Sequence, residues 1–253
     1  MSHSHCQFSF SIAAWQASSN KIATSEQWQQ WAQDPDSIVG LSEHKPPLTF
    51  LPAMQRRRLS LAARLVCDAS WELAERHPQS PLVFASHDGE LNRNFELWLE
   101  LMRTDTVSPT SFGLSVHNAL AGQWSMLRQN MHESTALAVG DDGIESALAE
   151  ACALLADGAE SVLLVIADDP LSLEYGVKAI RAPFAYALAL VVTQGNDYTL
   201  SMHTDKRPSE PLSAEPSYWS GLEWIRFMLS DGIQTERHYA RHTWHWQKNH
   251  AAP

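Results

Sequence analysis

The stretch from residue 134 to residue 168 constrains the fold more than any other part of the chain. "STALAV" (134–139) reads as a strand and "GDDG" (140–143) as a tight turn. "IESALAEACALLADG" (144–158) sets Ile144, Ala147, Leu148, Ala151, Leu154 and Leu155 on one helical face, with Gly158 as a C-terminal stop. "ESVLLVIAD" (160–168) is an unbroken apolar strand, of the kind covered on both faces. A strand–turn–helix–strand unit of this composition calls for a sheet packed between layers of helices.

The rest of the chain keeps the alternation. Strands are expected at 8–18 and 81–89. Helices are expected around "SEQWQQWAQ", over 54–77 as far as Pro78, and over 90–103. Residues 108–129 read as a loop leading into a helix. Residues 182–194 and 198–204 read as a hairpin turning at Gly195-Asn196-Asp197. A Pro/Ser-rich surface connection (206–217), a helix "WSGLEWIRFMLSDG" and a final strand "RHYARHTWHWQK" complete the chain. The expected architecture is a single α/β domain over 1–253, with layered helices around a mixed five-stranded sheet.

With 44% hydrophobic and 19% charged residues, a chain of 253 residues can build a real core. Its net charge of −11 argues against a nucleic-acid partner, because phosphate binding needs a basic surface. Cys6, Cys67 and Cys152 show no paired spacing, and Cys67 and Cys152 lie in Ala/Leu-rich helical stretches. They read as reduced residues of a cytoplasmic protein. No CxxC or HExxH exists, so neither a metal nor a cofactor is expected. The N-terminus lacks the basic start and apolar run of a signal peptide, and no apolar stretch is long enough to span a bilayer, so no membrane partner is expected.

The turn at 140–143 raises the functional question. A residue there stands exposed at a helix N-terminus, whose free N–H groups favour a thiolate. This turn holds neither Cys nor Ser. Asp141 would use the same field as an N-cap carboxylate. As a nucleophile on a thioester it would form a reactive anhydride, and the helix end lowers its basicity, so no catalytic role is expected of it.

"SPTSFGLSVHNALAG", with Ser108, Pro109, Asn118, Ala121 and Gly122, resembles the region ahead of the active-site cysteine in β-ketoacyl synthases. Counted without a gap, Asp141 falls where that family has its acylated Cys. Counting back from Gly158 gives the same position. "MQRRRLSLAARLVCDASWEL" is similar to the family's early Arg-rich helix, "LVFASHDGEL" to the strand and turn after it, and "APFAYALALVV" to a later strand. The likeness covers roughly residues 8–195, leaving 196–253 as a C-terminal strand, helix and strand. Two departures matter: the Cys is replaced, and no "HGTGT" or "NxxFGFGG" stretch supplies the histidines that stabilise the thioester oxyanion.

The resemblance implies a thiolase-like fold, the N-terminal half of a ketosynthase. It also implies a Cys-less chain-length factor, similar to the short ketosynthase-like proteins of aryl-polyene clusters. Such a subunit would heterodimerise with an active β-ketoacyl synthase and help shape its acyl tunnel. Strand residues Ser134, Thr135, Ala136, Leu137, Ala138 and Val139 would pair across the interface. His87 and Asp88, with Ser111, Phe112, Leu114 and Ser115, would reach toward the partner's pocket. An acyl carrier protein would dock mainly on the partner, and "QRRR" (55–58) is the one basic run that bears on docking. Trp219, Trp224, Trp244 and Trp246 suit either an interface or a core. Two other readings are a free-standing thioester hydrolase or malonyl decarboxylase using His87, His117 or Asp141, and a purely structural stabiliser of a larger complex.

Overall fold

The computed structural model describes residues 4–176, 182–204 and 220–249; the 206–217 connection and Trp219 lie outside the described residues. β1 (Ser4–Ser19) is followed by α1 (Ser25–Gln33), α2 (Ala53–Arg58) and α3 (Leu61–Arg76). Then come β2 (Leu82–Ser86), α4 (Leu91–Thr104), α5 (Pro109–Gly113), α6 (Ala119–Arg128) and β3 (Ser134–Ala138). α7 (Gly143–Ala156), β4 (Ser161–Asp168), β5 (Tyr186–Thr204), α8 (Ser220–Leu229), β6 (Gln234–His238) and β7 (His242–Lys248) follow. The helix expected over 54–77 is two helices, because Ser60 interrupts it. Its Oγ accepts the Ala63 N–H at 3.1 Å and so caps α3.

The sheet is mixed but has seven strands rather than five. β3, β2 and β4 run parallel, β5 runs antiparallel to β4, and β1 pairs antiparallel along the length of β5. The expected five strands are thus β3-β2-β4-β5-β1. β7 adds to the far part of β5, and β6 adds to β7.

The difference is that the C-terminal β6 and β7 join the sheet; two turns are also misread, with no net effect on the number of strands. Gly195-Asn196-Asp197 does not reverse the chain. The β1 register jumps there from Ser11↔Thr193 to Phe10↔Tyr198, so the segment bulges and β5 continues. Gly195 is needed at the bulge, since a Cβ would lie 2.7 Å from Ser11 Cβ. The expected final strand is instead the β6–β7 hairpin, closed where the Tyr239 N–H donates to His242 O at 2.9 Å. Its tip carries none of the Gly or Asn residues that mark such turns.

The strand alternation divides the core. Val162, Leu164 and Ile166 of β4, with Leu188, Leu190 and Val192 of β5, face α7 and α8, together with Trp28, Trp31, Trp224 and Trp246. Leu163, Val165 and Ala167, with Ala187, Ala189 and Val191, face α3 and α6. Both faces are covered, as the apolar run of β4 foretold. α8 comes very close to the sheet at Gly221, where a Cβ would meet Ile166 Cγ2 at 2.7 Å and Tyr186 Cε2 at 2.9 Å.

Candidate functional site

The carboxyl ends of β2, β3 and β4 lie side by side and gather most of the residues singled out in the sequence. Asp168, at the end of β4, organises the turn after β2. Its Oδ1 accepts the N–H groups of His87 (2.9 Å) and Asp88 (3.1 Å) and the Ser86 hydroxyl (3.2 Å). Its Oδ2 accepts from the Tyr186 hydroxyl at 3.3 Å. Burial pushes Asp168 up to about 6, against those donors. His87 Nδ1 lies 3.2 Å from Asp88 Oδ1, and the Asp88 side chain is 1% exposed. His117 Nε2 bonds Ser86 O at 2.9 Å, the same carbonyl that accepts the Val139 N–H at 3.1 Å. His117 is thus a structural tie between α6's approach and β2.

The Gly140–Gly143 turn follows directly. Asp141 is exposed, and Asp142 holds the N-cap position without a side-chain cap bond. The expected cap by Asp141 is therefore corrected: Asp142 Oδ2 instead accepts from His242 Nε2 at 3.2 Å and Trp244 Nε1 at 3.4 Å. Asp141→Ala removes no cap, so its unfolding free energy in urea is expected to stay within ~0.5 kcal/mol of the native chain. The thiols of α3 and α7 are held in the neutral form. Burial pushes Cys67 and Cys152 each up to about 12.

Sequence reasoning missed Glu145, Tyr239 and His242. Glu145 is fully buried in the first turn of α7, where Oε1 accepts from the Tyr239 hydroxyl (2.8 Å) and Trp246 Nε1 (3.1 Å). The sequence carried no signal for Glu145, which falls beside the helical face read as core and not on it.

The residues expected to face a partner fall into two sets. Among the described residues, β3 is an end strand of the sheet, hydrogen-bonded on one side, to β2. Phe112, on α5, is 61% exposed, Ser111 and Leu114 are half-buried, and Ser115 is buried with its hydroxyl on Phe112 O at 2.8 Å. Ser115 therefore points inward, away from any partner. α4 packs beside α5, with Asn94 Nδ2 donating to Ser115 O at 2.9 Å, and it exposes Trp98, Leu101 and Met102 at helical spacing.

A cavity of about 730 Å³ lies elsewhere. Lys45, Arg57, Arg58, Glu90, Asp169 and Phe184 are among its lining residues. None of the sequence-chosen pocket residues lines it, although two arginines of the basic run do. Among the described residues, no group of three or more His, Cys, Asp or Glu side chains is placed to hold a metal ion. No helix among them is long and apolar enough to cross a membrane.

The model of the β-ketoacyl synthase N-terminal domain matches residues 28–247. The chain belongs to that family. Among solved structures, a chain of the ketosynthase ApeO in complex with its chain length factor ApeC, from Xenorhabdus doucetiae, is 26% identical. The match has a TM-score of 0.79 and covers 95% of this chain and 100% of that one. The ishigamide ketosynthase/chain length factor matches at 16% identity and TM-score 0.58, covering 79% of this chain and 68% of that one. A chain of AntDE:AntF, a type II polyketide synthase acyl-carrier protein in complex with its ketosynthase, matches at 11% identity and TM-score 0.64. It covers 96% of this chain and 100% of that one. The last two are likenesses of fold. No curated protein matches the chain. The β-ketoacyl synthase fold, thiolase-like, is thus built here with Asp141 exposed in the turn between β3 and α7 and a C-terminal hairpin against α7.

Proposed function

We propose that this protein is a non-catalytic chain-length-factor subunit of a type II polyketide system, of the aryl-polyene kind. It pairs with an active β-ketoacyl synthase in the cytoplasm and helps shape the synthase's acyl tunnel. The observation that carries this reading is the open edge of β3 leading straight into a turn without a nucleophile. The two ends of that path through the sheet differ in kind. β6 carries Glu236, Arg237 and His238, charges that discourage strand addition. β3 reads Ser-Thr-Ala-Leu-Ala, with no charge and no proline, and so invites a partner strand. The exposed Trp98, Leu101, Met102 and Phe112 supply apolar contact surface of the kind found at interfaces.

Tunnel shaping needs no chemistry from this chain. A side chain that closes the floor of a partner's tunnel limits product length because a packed interior tolerates little overfilling. Phe112 is the side chain assigned to that task. An acyl carrier protein docks mainly on the synthase, consistent with this chain's net charge of −11. The hydrolase reading has less support. Asp141 stands exposed, His117 is tied to a backbone carbonyl, His87 leans on Asp88, and none of the three lines the 730 Å³ cavity.

The test is native mass spectrometry after co-expression with the full-length ketosynthase of its own gene cluster. A one-to-one heterodimer is the expected result; a monomer or homodimer that ignores the synthase overturns the reading. Within the heterodimer, Phe112→Ala is expected to shift products toward longer chains. An unchanged product profile would reduce the subunit to a structural stabiliser.

A further inference from the structure

Two carboxylates in the first turn of α7 hold the C-terminal hairpin. Asp142 receives His242 and Trp244, and Glu145 receives Tyr239 and Trp246. Tyr239 and His242 also stack on each other, with ring centroids 5.1 Å apart. The attachment therefore joins the hairpin tip and β7 to the very residues that end the Gly140–Gly143 turn.

Glu145 is an unusual acceptor. It is fully buried, and its Oε2 has no hydrogen-bond partner among the described residues. An ionised carboxylate with one dry, unsatisfied oxygen is costly, and the neutral acid much less so. The surrounding titratable and charged groups come from every neighbouring element. Asp142 lies on its own helix, Tyr239 and His242 on the hairpin tip and β7. Arg237 of β6 lies over the Trp246 ring at 5.1 Å and pairs with Glu223 of α8. Its Nη2 is thus engaged with Glu223, while its Nε has no hydrogen-bond partner among the described residues.

We propose that the C-terminal hairpin is a proton-linked clasp on the Gly140–Gly143 turn, closing fully while Glu145 is protonated and loosening as that carboxyl ionises. Its effect on a partner rests on the reading of β3 and the turn as the partner-facing element; the clasp itself does not. Burial is the largest influence on Glu145 and, joined by the like charge of Asp142, raises it to about 7. Its own backbone N–H, then the donors Tyr239 and Trp246, pull the other way. Because this carboxyl is raised from 4.5 in the folded chain, the stability it contributes is complete below about 4.5 and is lost as pH rises through about 7.

Trp244 and Trp246 touch the two carboxylates, so tryptophan fluorescence of the intact protein, titrated from about pH 5 to about pH 9, reads the clasp directly. The native protein is expected to show a transition near 7, and Glu145→Gln none. Tyr239→Phe removes a donor to the ionised form and is expected to move the midpoint upward. It carries the test should Glu145→Gln fail to fold. His242→Gln isolates Glu145 as the source of the transition. A transition that disappears in His242→Gln, or survives in Glu145→Gln, overturns the proposal. Affinity for the co-expressed ketosynthase is expected to fall about tenfold from about pH 6 to about pH 8, and to stay level in Glu145→Gln. Level binding in the native protein, with the fluorescence transition intact, overturns the link to the turn. A chain that binds no ketosynthase at any pH overturns the functional reading, while the titration still decides the clasp.

Discussion

Ala136→Pro is expected to abolish capture of a ketosynthase while leaving the isolated chain folded. The Val139 N–H donates to Ser86 O, and Glu133 O accepts from the Leu82 N–H, so residues 133 and 139 turn their backbone groups toward β2. Backbone groups alternate along a strand, so those of Ala136 face the open side. Proline there removes a donor that the chain's own ladder does not use, which edge strands tolerate. Pairing with a second strand, by contrast, loses a hydrogen bond and meets the ring. The expected loss of affinity is at least about a hundredfold, roughly 3 kcal/mol. The unfolding free energy of the isolated chain should change by no more than about 1 kcal/mol. Native mass spectrometry and urea unfolding read the two quantities separately. Undiminished pairing would move the interface away from β3.

The second large effect is on stability. Trp224 is 0% exposed and stands among Trp246, Tyr198, Phe227 and Phe10, with ring centroids 5.0, 5.4, 5.5 and 6.0 Å away. It joins α8 to β1, β5 and β7. Trp224→Ala is expected to cost about 3–5 kcal/mol, the range for emptying an aromatic site in a close-packed core. Trp224→Phe is expected to cost less than about 1.5 kcal/mol. The smaller figure has a specific reason: the indole Nε1 is buried without a hydrogen-bond partner among the described residues, so phenylalanine removes an unsatisfied donor together with the lost volume. Urea unfolding of both variants checks the pair. Equal costs would show that the indole nitrogen is satisfied after all.

The sequence was most legible where one local signal dominated. The apolar run of β4, the helical face of α7 and the stop at Gly158, whose φ is +110°, all appear as read. It misled where a local signal competed with long-range pairing. Gly195-Asn196-Asp197 carries turn chemistry, yet β1 pairs on both sides of it and carries the strand through. The tip of the β6–β7 hairpin had the opposite fault, a reversal without turn residues. At the site, the turn and the His87–Asp88 pair were visible as residue types. The clasp was not, because Glu145 and Tyr239 are 94 residues apart and meet only through the folded hairpin. Asp142 was passed over for Asp141 since spacing alone cannot say which of two adjacent aspartates ends the turn and which begins the helix.

The pairing of β1 with β5 has a consequence for how the protein is made. Ser4–Ser19 leaves the ribosome well before Tyr186–Thr204, which is its one strand partner among the described residues. At typical synthesis speeds that interval is roughly 10–40 s, during which Phe8, Phe10 and Trp15 emerge with nothing to pair against. The parallel strands can assemble meanwhile, but the nascent chain keeps the aromatic β1 segment waiting, exposed or on a chaperone, until β5 arrives to receive it.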